Sequence, residues 1–165
     1  MSEETTFPAS PAPAGRGGGS GFPPTPEEIE AANAYMRARM LFVPRMFQAI
    51  NRYNPAIGRA FADYYEAGKR DRHLTRAVKE LIFTAIGVAT ASPACLIHLI
   101  PAIEAGASRE QLQEAVLIGV LAAGFVPHGA GIPYACQYAA KVLETADRYR
   151  AGEPWEYARP PDFSF

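Results

Sequence analysis

The chain has 165 residues, 48% of them hydrophobic, and 16 Lys and Arg against 17 Asp and Glu leave a formal charge of -1. That balance gives neither nucleic acid nor an anionic membrane an electrostatic reason to bind, and the length suits one domain with one core. The two cysteines, Cys95 and Cys136, are too few for a disulfide framework or a four-thiolate zinc site, which fits a reducing compartment.

The opening Met1-Ser2-Glu3-Glu4 is acidic and no apolar run follows, so it reads as neither a secretory nor a transit signal, and a cytoplasmic location is expected. Residues 1–25 are dominated by Pro, Gly, Ser and Ala, a composition that cannot offset the entropy of ordering, and read as a disordered tail. Helical order is expected over residues 26–149. Thr25-Pro26-Glu27-Glu28 offers a hydroxyl cap, a proline at the first helical position and a glutamate at the third, opening a first helix that runs to about Met40. Pro44 opens a second helical stretch, which Asn54-Pro55 breaks or kinks before it resumes through Phe61, Tyr64 and Tyr65 to Gly68. Lys69 to His73 reads as a charged loop.

Thr75 caps a third helix in which Val78, Leu81, Ile82, Ala85, Ile86 and Ala89 recur at helical spacing, with Phe83 and Val88 making the other side apolar as well, the pattern of a buried helix. Leu81 to Ile103 carries no Asp, Glu, Lys or Arg and is long enough to cross a bilayer. However, Thr90-Ala91-Ser92-Pro93 is a turn signal and His98 would stand uncompensated in lipid, so two buried helices joined by a tight corner are expected instead. The second of them starts at Ser92-Pro93, is expected to bend at Pro101 and ends at Gly106. Ser108-Arg109-Glu110-Gln111 is a capping box for a fifth helix that becomes apolar from Val116 to Val126, and a sixth spans about Ile132 to Tyr149.

No stretch alternates with period two, so the fold is expected to be all-α with about six helices. The apolar excess of the middle helices predicts a homo-oligomer, the alternative being a monomer whose central helix is wrapped by the rest. Residues 150–165, with Trp155, Tyr157, Phe163 and Phe165 among prolines, form an irregular tail suited to strapping onto a neighbour.

Four residues are candidates for chemistry. Cys95 falls near a helix N-terminus, where unpaired N–H groups lower a thiol pKa, and His98 lies one turn on along the same face. The plain alternative is a small buried cysteine beside a hydrogen-bonded core histidine. Glu80 is the only carboxylate between Asp71 and Glu104, set at the start of an otherwise apolar helix. It reads either as a partly buried acid–base group with a raised pKa or as a solvent-facing carboxylate satisfied by the helix dipole. His128 stands among the glycines of Gly124-Phe125-Val126-Pro127-His128-Gly129-Ala130-Gly131, where backbone can approach a ligand. Glu80, His98 and His128 also match a two-histidine, one-carboxylate metal set, but no spacing enforces it. No cofactor is expected: the N-terminal glycine run has neither the preceding strand nor the following Lys-Ser/Thr of a phosphate loop.

The segment Leu74-Thr75-Arg76-Ala77-Val78-Lys79-Glu80-Leu81-Ile82, the Cys/His stretch, and His98 through Ile103-Glu104-Ala105-Gly106-Ala107-Ser108 to Leu112 together resemble the carboxymuconolactone decarboxylase family, which includes the alkyl hydroperoxidase D-like proteins. The resemblance continues through Gly129-Ala130-Gly131-Ile132-Pro133-Tyr134 to about Thr145. It implies a helical subunit assembled as a trimer or hexamer, with active sites near subunit contacts. Its peroxidase branch carries a glutamate followed by Cys-x-x-Cys-x-x-x-His. Glu80 matches the glutamate, but one register places Ser92 and Cys95 at the cysteine positions and Leu99 at the histidine. The other register makes His98 the histidine and leaves Ala91 and Ala94 where the thiols belong. The redox pair is broken in both.

The resemblance and the residues together lead to an enzyme performing cofactor-independent proton transfer, either decarboxylation or isomerisation, on a small anionic organic substrate. His98 is the expected acid or base, Glu80 its orienting or shuttling partner and His128 an assistant; Arg76 and Lys79 either attract a carboxylate or form a solvated face. Two further readings stand beside it: a single-thiol peroxidase using Cys95, and an oligomeric binding protein without catalysis.

Overall fold

The computed structural model describes residues 23–125 and 131–154. Its seven helices among the described residues are α1 (Pro26–Met40), α2 (Arg45–Asn51), α3 (Pro55–Lys69), α4 (Arg76–Ala89), α5 (Ala94–Glu104), α6 (Arg109–Ala122) and α7 (Ile132–Arg150), and the fold is all-α. Against the expected count of about six, the seventh helix arises at Asn54-Pro55, which breaks the second stretch rather than kinking it. Proline removes a donor and disfavours helical geometry in the residue before it, so Asn54 turns extended (φ -149°) and caps a new helix by accepting from the Ala56 N–H at 3.2 Å. The second stretch is thereby two helices.

Caps set most of the boundaries. Thr25 and Ser108 form reciprocal capping boxes with Glu28 and Gln111, and Thr75 accepts from the Val78 N–H. The start expected at Ser92 is shifted by one: Pro93 occupies the cap position, while Ser92 Oγ accepts from the Ala94 N–H at 3.2 Å. At the other end of α5, Gly106 takes φ +92° and its N–H reaches Ile103 O while that of Ala107 reaches Ala102 O, both at 2.9 Å. This paired arrangement satisfies the last carbonyls of the helix and requires left-handed backbone. The same device closes α4 with Ala91, whose φ of 46° is strained for a residue bearing a Cβ. There the Ser92 N–H bonds Gly87 O at 2.8 Å and turns the chain sharply into α5.

Two apolar clusters result. Met36, Met40, Val43, Phe47, Ala62 and Tyr65 join α1 to α3, while a larger core around Val88, Leu96, Leu99, Ile100, Leu112, Val116, Tyr138 and Val142 joins α4 to α7. Helices α4 and α5 pack most extensively. Their closeness depends on Gly87, where a Cβ would stand 2.5 Å from the Cys95 backbone nitrogen. Burial of the middle helices is only partial within one chain. Ile82, Phe83 and Ile86 of α4, and Leu117, Ile118 and Leu121 of α6, are exposed, because the α4–α7 core covers only one side of each helix. No described helix is long and apolar enough to cross a membrane. The expected tails fall mostly outside the described residues.

Gly87→Ala tests the close crossing. The added methyl must push α5 outward, and overpacking of this kind costs about 1–3 kcal/mol. We expect a lower urea midpoint, and with it a displaced His98.

Candidate active site in the α3–α4 seam

One face of α4 carries Glu80, Thr84 and Gly87, at spacings of four and three, and all three are buried. Because Gly87 lets α5 lie against this face, His98, one turn beyond Cys95, arrives above Glu80 two turns before Gly87. His98 Nδ1 is 2.8 Å from Glu80 Oε2. From the other side, α3 brings Tyr65 and Lys69, one turn apart. Tyr65 Oη donates to Glu80 Oε1 at 2.5 Å and Lys69 Nζ to Oε2 at 3.1 Å. Arg76 Nε lies 3.9 Å from Oε1, its guanidinium also engaging Glu66 and the carbonyl of Arg39.

Glu80 is completely buried, which settles its orientation against the solvent-facing alternative. Its acidity differs from the raised value expected. Burial alone pushes the carboxyl upward, but the hydrogen bonds from His98 and Tyr65, with the Lys69 ammonium, outweigh it and hold Glu80 below the usual carboxylate range. The same contacts act in reverse on the partners. Burial, then the Glu80 charge, pushes the Tyr65 phenol far up, whereas burial draws the Lys69 ammonium down against the opposing pull of Glu80.

An open-mouthed pocket of about 430 Å3 lies directly over this cluster, walled by Phe61, Tyr64 and Tyr65 from α3, by Ile82 and Phe83 from α4, and by Lys69, Lys79 and His98. With Nδ1 bound to a carboxylate, His98 is held in the tautomer that leaves Nε2 with its lone pair. Nε2 has no hydrogen-bond partner among the described residues and is not sealed from solvent, so the pocket is where it can meet a ligand. Phe83 and Tyr65 flank the imidazole, with ring centroids 4.7 and 6.0 Å away.

The other candidates separate. Cys95 is fully buried in the α4–α7 core, and burial pushes its thiol up to about 12, so the low pKa expected from the helix N-terminus is not realised. Desolvation of the thiolate outweighs the backbone N–H groups of Leu96 and Cys95. Cys136 is exposed on α7 and the two thiols are free. His128 lies outside the described residues, and with it the third member of the conjectured metal set. Arg76 is half-buried beside Glu80, while Lys79 donates to the carbonyls of Gly68 and Arg70 at the end of α3.

Two site residues escaped the sequence reading. Lys69 is the last residue of α3 and buried, not the start of a charged loop, and Tyr65 had been read only as part of a helix. The signal available was the recurrence of Phe61, Tyr65 and Lys69 at four-residue spacing, which places one lysine on the apolar face of its helix.

Acidification tests the electrostatics. A carboxylate whose folded pKa is depressed stabilises the fold fully above its unfolded value of about 4.3, and that stabilisation is lost as pH falls through the lower folded value. Glu80→Gln is expected to cost about 3–5 kcal/mol near neutral pH, since it strands a buried lysine, and to flatten the acid limb of a stability-against-pH curve measured by denaturant unfolding.

Comparison with known proteins agrees with this architecture. Residues 55–128, spanning α3 to α6 and every member of the Glu80 cluster, match the model of the carboxymuconolactone decarboxylase family. An uncharacterized protein of Cupriavidus necator is 34% identical over 117 residues, covering 70% of this chain and 96% of that one. A crystal structure of a proposed carboxymuconolactone decarboxylase from Burkholderia xenovorans LB400 superposes with a TM-score of 0.55 over 78% of this chain and 98% of that chain. At 19% identity it speaks to the fold alone. With the sequence match lying on the helices that build the buried Glu80–His98 pair, the chain belongs to the carboxymuconolactone decarboxylase family.

Proposed function

We propose that the protein is an acid–base enzyme of this family acting on a small organic anion, with His98 as the proton carrier. The observation that supports this best is the tethering of His98 Nδ1 to a fully buried, multiply bonded carboxylate beneath a pocket into which Nε2 can reach. Glu80 orients the imidazole and stabilises the imidazolium, in the manner of the carboxylate of a catalytic triad. Its own lone pairs are committed to Tyr65, Lys69 and His98, so shuttling by Glu80 gives way to orientation.

In an isomerisation, neutral Nε2 takes a proton from a carbon next to a carbonyl, the electron pair moves onto oxygen as an enolate, and the imidazolium returns the proton at another carbon. In a decarboxylation, Nε2 first takes a proton from water at the open pocket mouth, the C–C bond breaks, carbon dioxide leaves and the electron pair becomes an enolate, which the imidazolium protonates on carbon, returning His98 to its neutral form. Both need a cationic or hydrogen-bonding neighbour for the oxyanion, and the Lys69 ammonium stands on the same Glu80 oxygen as His98.

A thiol reaction has less support. Cys95 lacks the access and the acidity that a nucleophile toward peroxide needs. His98→Gln is therefore expected to lower turnover at least about a hundredfold with the fold intact, the scale of a lost general base. Cys95→Ala should leave both turnover and slow peroxide consumption unchanged. Peroxidase activity abolished by Cys95→Ala would overturn the acid–base reading.

We further propose that a second copy of the chain covers the exposed apolar face of α4 and α6, where Ile82, Ile86 and Ile118 line a largely apolar depression. Sedimentation should then show an assembly in solution, and Ile86→Glu with Ile118→Glu should convert it to a smaller species with unchanged helix content. Wild-type protein sedimenting as a monomer would refute this.

A further inference from the structure

The polar groups around the pocket are almost all committed inward. Tyr65 Oη is spent on Glu80, Lys79 Nζ on the carbonyls of Gly68 and Arg70, and His98 Nδ1 on Glu80. What remains on the lining is His98 Nε2, the hydroxyl of the exposed Tyr64 and, as the one deeply buried cation among them, the Lys69 ammonium. An ammonium has three donors, and Glu80 is the only hydrogen-bond partner of Lys69 among the described residues. Its Nζ also stands 3.7 Å from the centre of the Phe83 ring, and its side chain is only 5% exposed. The charge therefore acts in a poorly screened setting, on a cavity whose other walls are Phe61, Tyr64, Ile82 and Phe83.

Lys69 and Lys79 line this cavity, whose lining includes no carboxylate, so an anionic ligand suits it and a cation does not. Rings of Phe61, Tyr64 and Phe83 are among the walls, and this favours a flat ligand, since aromatic rings gain from offset or edge contacts beyond the area they bury. We infer that Lys69 is the substrate anchor of this pocket, holding one carboxylate oxygen of a planar, conjugated or aromatic carboxylate whose ring or chain lies along Phe83, with His98 Nε2 beside it. This rests on the acid–base reading in placing the ligand at His98, but the anchor itself requires only the pocket and the ammonium.

Sodium benzoate serves as the probe, with cyclohexanecarboxylate as the saturated acid and benzyl alcohol as the neutral ring, titrated into the full chain by calorimetry. Benzoate is expected to bind most tightly and benzyl alcohol most weakly. Lys69→Met should weaken benzoate roughly tenfold or more, the scale of one buried charge-assisted hydrogen bond. Should Lys69→Met fail to fold, two readouts remain. Phe83→Leu, at a half-exposed position, should weaken benzoate about threefold and leave cyclohexanecarboxylate unchanged, and the lysine side-chain nitrogen signal of Lys69 should shift when benzoate is added to the wild type. The inference is overturned if benzoate does not bind, if Lys69→Met binds it as well as the wild type, or if the saturated acid or the alcohol binds equally. His98→Gln should retain benzoate within about threefold while losing turnover, since the anchor makes no use of Nε2. Retained turnover in that variant with benzoate still bound at Lys69 would therefore sink the acid–base reading alone.

Discussion

A carboxylate removed from water is costly unless opposite charge and hydrogen bonds replace its hydration. Glu80 meets that demand with an imidazole from α5, a phenol and an ammonium from α3, and a guanidinium from its own helix. Each of these side chains is held in place by the need to satisfy the same two oxygens. The geometry of the pocket follows from that constraint: Tyr65 and Lys69 become part of its α3 wall, His98 lines it from α5, and the walls carry few uncommitted polar groups.

The cluster also joins the two halves of the core. Helices α1 to α3 pack around Met36, Met40 and Phe47, and α4 to α7 around a separate set of aliphatic residues. Direct packing of α3 on α4 is slight. The hydrogen bonds of Tyr65 and Lys69 to Glu80 therefore bridge a seam that apolar contact covers thinly, and the pocket opens along that seam. Stability and site geometry are coupled here, because loosening the seam would separate the proposed anchor from the proposed base.

The fate of Cys95 shows how tertiary packing overrides a local rule. A helix N-terminus offers backbone N–H groups to a thiolate, and α5 does begin just before Cys95. Yet the close approach that Gly87 permits drives this turn of α5 against α4, sealing the sulfur in the core. The same contact delivers His98 to Glu80, so one crossing buries the thiol and assembles the Glu80–His98 pair.

Local chemistry determined much of this protein by itself. The hydroxyl caps at Thr25, Thr75 and Ser108, the proline starts and the glycine stop at Gly106 act within one turn of chain, so helix ends and the all-α class were legible without tertiary information. Glu80 and His98 were legible as candidates because a lone carboxylate and a lone histidine in an apolar stretch need partners wherever the chain places them. Only the tertiary structure decided what those partners are. Lys69 looked like the start of a charged loop because charge along a sequence reads as solvation, and its burial depends on a carboxylate 11 residues away on another helix. The burial of Cys95 and the depressed rather than raised acidity of Glu80 both turn on distances between helices. Such distances arise from packing, and no periodicity along a single chain encodes them.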